Sequence, residues 1–86
     1  GQVFLVYPNP ANRDDYLHIV SPYSTEKTFA SISITDLSGR IVQQNTIKAK
    51  NGVYNLLLDN IVHGVYIVEV KEGDSVFNKK IIIKNE

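Results

Sequence analysis

Apolar and polar residues alternate along most of the chain, and the alternation breaks at turn-forming clusters every eight to fourteen residues. A period of two sends successive side chains to opposite faces of a strand. The clearest case is 28–36, with Ala30, Ile32 and Ile34 on one face and Ser31, Ser33 and Thr35 on the other. Tyr54, Leu56 and Leu58 share a face of 53–59, and Tyr66, Val68 and Val70 share a face of 65–72. In 75–84, Ile81 and Ile83 face one way while Lys80, Ile82 and Lys84 face the other. Leu17 and Ile19 mark the inner face of 16–21, and 3–7 and 40–46 complete seven predicted strands.

The breaks carry turn chemistry. Pro8-Asn9-Pro10 cannot continue a ladder, since proline lacks an N–H and restricts its predecessor. Asp36-Leu37-Ser38-Gly39, Asn51-Gly52 and Gly73-Asp74 read as tight turns, with Gly39 supplying a positive φ. No stretch offers the i, i+3, i+4 spacing of a full helix. The expected fold is all-β, a seven-stranded antiparallel immunoglobulin-like β-sandwich.

Composition supports this. Valine and isoleucine number ten each against six leucines and three alanines, and β-branched side chains suit a pleated, half-buried surface. Eighty-six residues suffice for one domain. Without cysteine, neither disulfides nor thiolate metal sites contribute, so the branched side chains must share one core. Nine basic residues balance nine acidic ones, which argues against nucleic acid or an anionic membrane as the main partner. No apolar run approaches the ~20 residues that a helix needs to cross a bilayer, so no membrane insertion is expected. The chain starts Gly1-Gln2 and has no methionine, which reads as a single domain excised from a larger secreted protein.

Little of the sequence suggests site chemistry. His18 and His63 are the two histidines, but neither has further ligands close by in sequence, and both read as solvated. Asn9, Asn12, Asp14 and Asp15 offer oxygens that suit calcium, yet lack the spacing and bidentate glutamate of an EF-hand loop. That segment reads as a polar turn. No serine sits in a Gly-x-Ser-x-Gly elbow, and the Asp14-Asp15 pair lies in a turn. No catalytic residue, metal or cofactor is expected. Lys79, Lys80 and Lys84 around Ile81, Ile82 and Ile83 allow two readings. The lysines either keep an apolar terminal strand from pairing with neighbours or form a basic, partly apolar docking surface.

Four motifs in order give the chain a family resemblance over nearly its whole length. Tyr7-Pro8-Asn9-Pro10-Ala11, followed by 16–19, resembles the opening signature of the C-terminal sorting domains (type A) of the type IX, or Por, secretion system. Residues 34–42, with Asp36-Leu37-Ser38-Gly39-Arg40 at the centre, are similar to that family's hairpin. His63-Gly64-Val65-Tyr66-Ile67-Val68 resembles its Gly-x-Tyr strand, and 79–84 its basic, apolar ending. Two departures stand out: Ile61-Val62-His63 replaces the family's Leu-Pro, and Asn85-Glu86 extend past the terminal lysine.

The resemblance implies a secretion signal that directs its cargo across the outer membrane, through periplasm and translocon, to the cell surface or beyond. Implied partners are the translocon, outer-membrane shuttle components and a sortase-like transpeptidase that removes the domain at a bond at or before Gly1 to Val3. The implied recognition residues are Gly64, Tyr66, Val68, Lys79, Lys80, Ile81, Ile82, Ile83 and Lys84. Lys79, Lys80, Lys84 and Ile82 are expected to meet the partner, and Tyr7, Gly39 and Tyr66 to serve folding, within a structural set that includes Pro8, Asn9, Pro10 and Asp36. The alternative is an immunoglobulin-like module binding carbohydrate or protein, for which only Tyr16 and Tyr23 look outward. The residues leave oligomeric state open, with Val76 and Ile82 as candidate contacts.

Overall fold

The computed structural model describes residues 4–25 and 28–85, and its strands follow the alternation of the sequence. They are β1 (Leu5–Tyr7), β2 (Ala11–Asn12), β3 (Tyr16–Val20), β4 (Phe29–Asp36), β5 (Ile41–Lys48), β6 (Tyr54–Leu57), β7 (Gly64–Glu72) and β8 (Ser75–Lys84). Val3 of the expected first strand, the Gly1–Val3 cleavage region and Glu86 of the carboxyl-terminal extension lie outside the described residues. Among the described residues no helix is long and apolar enough to cross a membrane.

Two sheets form, with orders β1-β3-β6 and β2-β8-β7-β4-β5. They share one buried cluster. The smaller sheet contributes Leu17, Ile19, Tyr54 and Leu56, and the larger contributes Ile32, Ile34, Val68, Val70, Ile81 and Ile83. Each fully buried aliphatic side chain contributes about 1.5–3 kcal/mol relative to exposure. The all-β expectation holds, but two details differ. Among the described residues the strands number eight, and β2 runs parallel to β8, pairing Ala11 with Ile83 and Asn12 with Lys84. A two-residue strand beside a proline shows no periodicity, so only its long-range partner reveals it.

Side chains join the sheets where backbone pairing stops. Gln43 of β5 donates from Nε2 to the Leu57 carbonyl at 2.8 Å, and its Oε1 accepts from the Asp59 amide at 3.0 Å. One planar amide thus bonds to two residues of the smaller sheet's edge, as a neighbouring strand would. At the opposite end, Glu72 is buried to 7% exposure, where the Ser21 hydroxyl donates to Oε1 at 2.7 Å and the Tyr54 hydroxyl donates to Oε2. A buried carboxylate is tolerable only with such donors, because desolvating it alone is costly.

The β4–β5 hairpin is built around Asp36. Its Oδ1 accepts from the Ser38 amide at 3.0 Å, the Ser38 hydroxyl at 2.6 Å and the Arg40 amide at 3.0 Å. The Ser38 hydroxyl first, then the Arg40 amide, hold the Asp36 carboxyl below its ordinary range. Gly39 sits at φ 94°, and a Cβ there would meet nothing within 4 Å. Glycine is required by the backbone dihedral alone. The extra residue, Val42, forms a bulge between the pairs Ile34–Gln43 and Thr35–Ile41.

Two expectations follow. Gly39→Ala should destabilise by about 1–2 kcal/mol, the usual cost of a side chain in left-handed backbone, as read from urea denaturation. Burial first, then the Glu72 hydrogen bond, push the Tyr54 hydroxyl up from 10.0 to about 12. Its folded pKa lies above its unfolded one, so this stability is complete below pH 10 and is lost as pH rises towards 12. Urea midpoints should therefore fall more steeply between those pH values in the wild type than in Tyr54→Phe. Parallel curves would disprove this.

Candidate recognition site

The register between β7 and β8 sorts the expected recognition residues into two groups. Tyr66 pairs with Ile81, Gly64 with Ile83 and Val68 with Lys79. Tyr66, Val68, Ile81 and Ile83 are 7%, 0%, 0% and 1% exposed, so they form core rather than contact surface. Lys80, Ile82 and Lys84 alternate with them on the outer face of the sheet, where Ile82 is 48% exposed. Lys79 is also exposed, but its position opposite Val68 sets it apart from that outer row.

The Tyr66 ring folds back along the strand over Gly64, where a Cβ would lie 3.6 Å from Cε2, an ordinary van der Waals contact. The Tyr66 hydroxyl then donates to the Val62 carbonyl, pinning the approach to β7. Ile61, in place of the family's leucine, is 3% exposed and anchors this corner.

Neighbours that the sequence reading did not assign complete the outer face. Val65 lies opposite Ile82, Ile67 opposite Lys80, Thr35 opposite Ile67 and Ile41 opposite Thr35. Ile41 is 54% exposed, while Val65 and Ile67 are half-buried. The signal was present in the sequence: outward positions of β7 carry apolar residues although its inward positions already supply the core. Glu69 on the same face turns to Lys71 at 3.6 Å, two residues away from Ile67. Lys80 and Lys84 thus give this end of the face positive charge, and a shallow hollow opens between His63, Val65, Ile82 and Lys84.

The Pro-Asn-Pro segment lies along the outer edge of β8. Asn9 donates from Nδ2 to the Lys80 carbonyl at 3.3 Å, and its Oδ1 accepts from the Ile82 amide at 3.0 Å. β2 continues this contact, and the Arg13 amide donates to the Lys84 carbonyl at 2.9 Å. Ala11 is fully buried beneath it, and the peptide bonds before Pro8 and Pro10 are cis. Three of the four oxygen carriers considered for calcium bond to separate partners. Asn9 binds β8, Asp15 Oδ1 accepts from the Tyr16 amide at 2.8 Å, and Asp14 Oδ1 accepts from the Asn60 amide at 3.0 Å. Asn12 Oδ1 is buried without a protein partner. Among the described residues no three His, Cys, Asp or Glu side chains could hold a metal ion together.

Tyr7, assigned to folding from the sequence, is 44% exposed on the outer face of the smaller sheet, its ring 5.2 Å from that of His18. His18 is half-buried, with Nδ1 2.6 Å from Asn55 Oδ1, rather than solvated, while His63 is exposed. Tyr16 is 49% and Tyr23 50% exposed, but Tyr23 leans on Phe77 with ring centres 6.3 Å apart. The two expected outward tyrosines therefore do not form one platform with Tyr7: Tyr7 and Tyr16 share the small sheet, and Tyr23 belongs to a Phe4–Phe77 stack at 5.0 Å.

Comparison with curated proteins returns no match. Comparison with protein families matches residues 5–84 to the secretion system C-terminal sorting domain, from β1 to the last residue of β8. All four motifs, and the contacts between Asn9 and β8, lie within that span. The chain belongs to this family: it is a type IX secretion sorting signal, which interacts with the secretion system and marks proteins for export across the outer membrane to the cell surface or the medium.

Proposed function

We propose that the export machinery engages the outer face of β7 and β8, with Lys80 and Lys84 meeting acidic groups and Ile82, Val65 and Ile67 meeting apolar ones. The observation that carries this reading is the alternation of β8, which buries Ile81 and Ile83 and presents Lys80, Ile82 and Lys84. Charged groups at a rim steer encounter, while apolar contacts between them supply area. The buried members of the expected set, Tyr66, Val68, Ile81 and Ile83, act through the fold that presents this face, and Gly64 as the position that the Tyr66 ring packs over. In this reading the specific partners are the translocon, outer-membrane shuttle components and a sortase-like transpeptidase that cuts upstream of β1. The domain itself is an appended label without catalytic activity. Its layout is immunoglobulin-like: the Tyr66 hydroxyl bonded to the carbonyl four residues upstream resembles the tyrosine corner of such sandwiches.

The test uses the chain fused behind a periplasm-directed reporter in a host that carries the system. Lys80→Gln/Lys84→Gln should lower surface or medium reporter about tenfold, the factor that ~1.4 kcal/mol of lost affinity represents. Its urea midpoint should stay close to that of the wild type, because surface substitutions cost within about 0.5 kcal/mol. Lys48→Gln/Lys50→Gln, at the other end of the molecule, should export normally. Undiminished export by the Lys80/Lys84 variant would reject the reading.

A further inference from the structure

An unpaired strand edge invites another strand, and adding a strand to an open edge is a common way for proteins to bind extended peptides. The terminal strand of this signal is a sheet member with β7 on one side only. Its other edge, from Lys80 to Lys84, is already taken by the chain's own amino-terminal segment. Asn9 bonds to the Lys80 carbonyl and the Ile82 amide, β2 pairs with Ile83 and Lys84, and the Arg13 amide reaches the Lys84 carbonyl. These contacts involve residues 71 to 73 positions apart in sequence, so no local turn produces them. Asparagine suits this place because its amide is a peptide group in miniature, with a donor and an acceptor on one plane. Carbonyl i and amide i+2 along one strand edge are the pair that a neighbouring strand would engage.

We infer that Asn9 is a positioning residue of the sorting signal. It acts as a surrogate strand that closes the Lys80–Lys84 edge and sets the pitch of Lys80, Ile82 and Lys84, so that the secretion machinery engages β8 from its outer face and not by strand addition. This assigns the Pro-Asn-Pro motif, at the opposite end of the sequence from β8, a role in presenting the terminal strand. It rests on the outer-face reading above. A partner of this strand therefore needs acidic and apolar side chains directed at a sheet face, rather than an extended backbone offered to an edge. The strand also becomes competent only when residues 8–13 have docked on it, which couples recognition to completed folding of the domain.

Three variants test the inference together: Asn9→Ala, Ile19→Val as a core control destabilised to a similar degree, and Lys80→Gln/Lys84→Gln. Amide hydrogen exchange is followed on the 86-residue chain, and export on the reporter fusion. In Asn9→Ala, exchange at Ile82 should rise about tenfold, as expected for one lost hydrogen bond, while Ile81, paired with Tyr66, stays protected. Export of Asn9→Ala should fall several-fold below that of Ile19→Val, an outcome that a purely structural role would not produce. Unchanged exchange at Ile82, or equal export by these two variants, overturns the inference. Reduced export by the lysine variant combined with normal export by Asn9→Ala overturns the Asn9 inference alone. Normal export by the lysine variant instead overturns the outer-face reading beneath it. If Asn9→Ala fails to fold, Asn9→Asp carries the export comparison: it keeps the acceptor for Ile82, so exchange there stays slow, but loses the donor to Lys80, and export equal to that of Ile19→Val overturns the inference.

Discussion

Nine consecutive residue pairs join β7 to β8, and this register governs the rest of the molecule. A strand has two faces, and a slip of one residue would exchange them. The observed register directs Tyr66, Val68, Val70, Ile81 and Ile83 into the shared core and directs Lys80, Ile82 and Lys84 away from it. The same pairing therefore provides the apolar burial that stabilises the domain and the basic, apolar row that faces outward. Stability and display are consequences of one alternation, so neither can shift without the other.

Pairing alone would leave open edges, and in two places a side-chain amide takes the role of a missing strand. Asn9 does so on β8, and Gln43 does so on the β6 side of the smaller sheet. Each bonds to a carbonyl and an amide two residues apart. A small sandwich has little room for extra strands, and amide side chains satisfy edge groups with one residue each. The buried Glu72, held by Ser21 and Tyr54, joins the sheets at the far end by the same economy of polar contacts. Electrostatics otherwise contribute locally: the exposed Arg40–Asp36 pair at 3.3 Å sits on a turn already organised by three hydrogen bonds.

Strands β3, β4, β6, β7 and the end of β8 were legible because their inner residues recur at period two. Ala30, Ile32 and Ile34, or Tyr54, Leu56 and Leu58, are buried as alternation requires. The Asp36–Arg40 hairpin was legible because its chemistry is contained in five adjacent residues. β2 was not, since two residues cannot display a period and its partner lies at the other end of the chain. The facing of Tyr7 was not legible for a related reason: an aromatic in a largely apolar run, Val3 to Tyr7, gives no phase, and only pairing with His18 shows that it faces out. Of the recognition residues, sequence could name the terminal segment but not separate Lys79 from Lys80 and Lys84, nor add Val65, Ile67 and Ile41 from other strands.

By itself the sequence determined the fold class, the phase of its long strands and, through four ordered motifs, the family and its role as an export signal. These depend on local periodicity, turn chemistry and the order of motifs, all of which are written along the chain. Tertiary structure alone decided that Val65, Ile67 and Ile41 adjoin the outward residues of β8. It also placed the Pro-Asn-Pro segment against the terminal strand. Those outcomes depend on register and on contacts between residues more than seventy positions apart, for which hydrogen-bond geometry, not sequence proximity, is the cause.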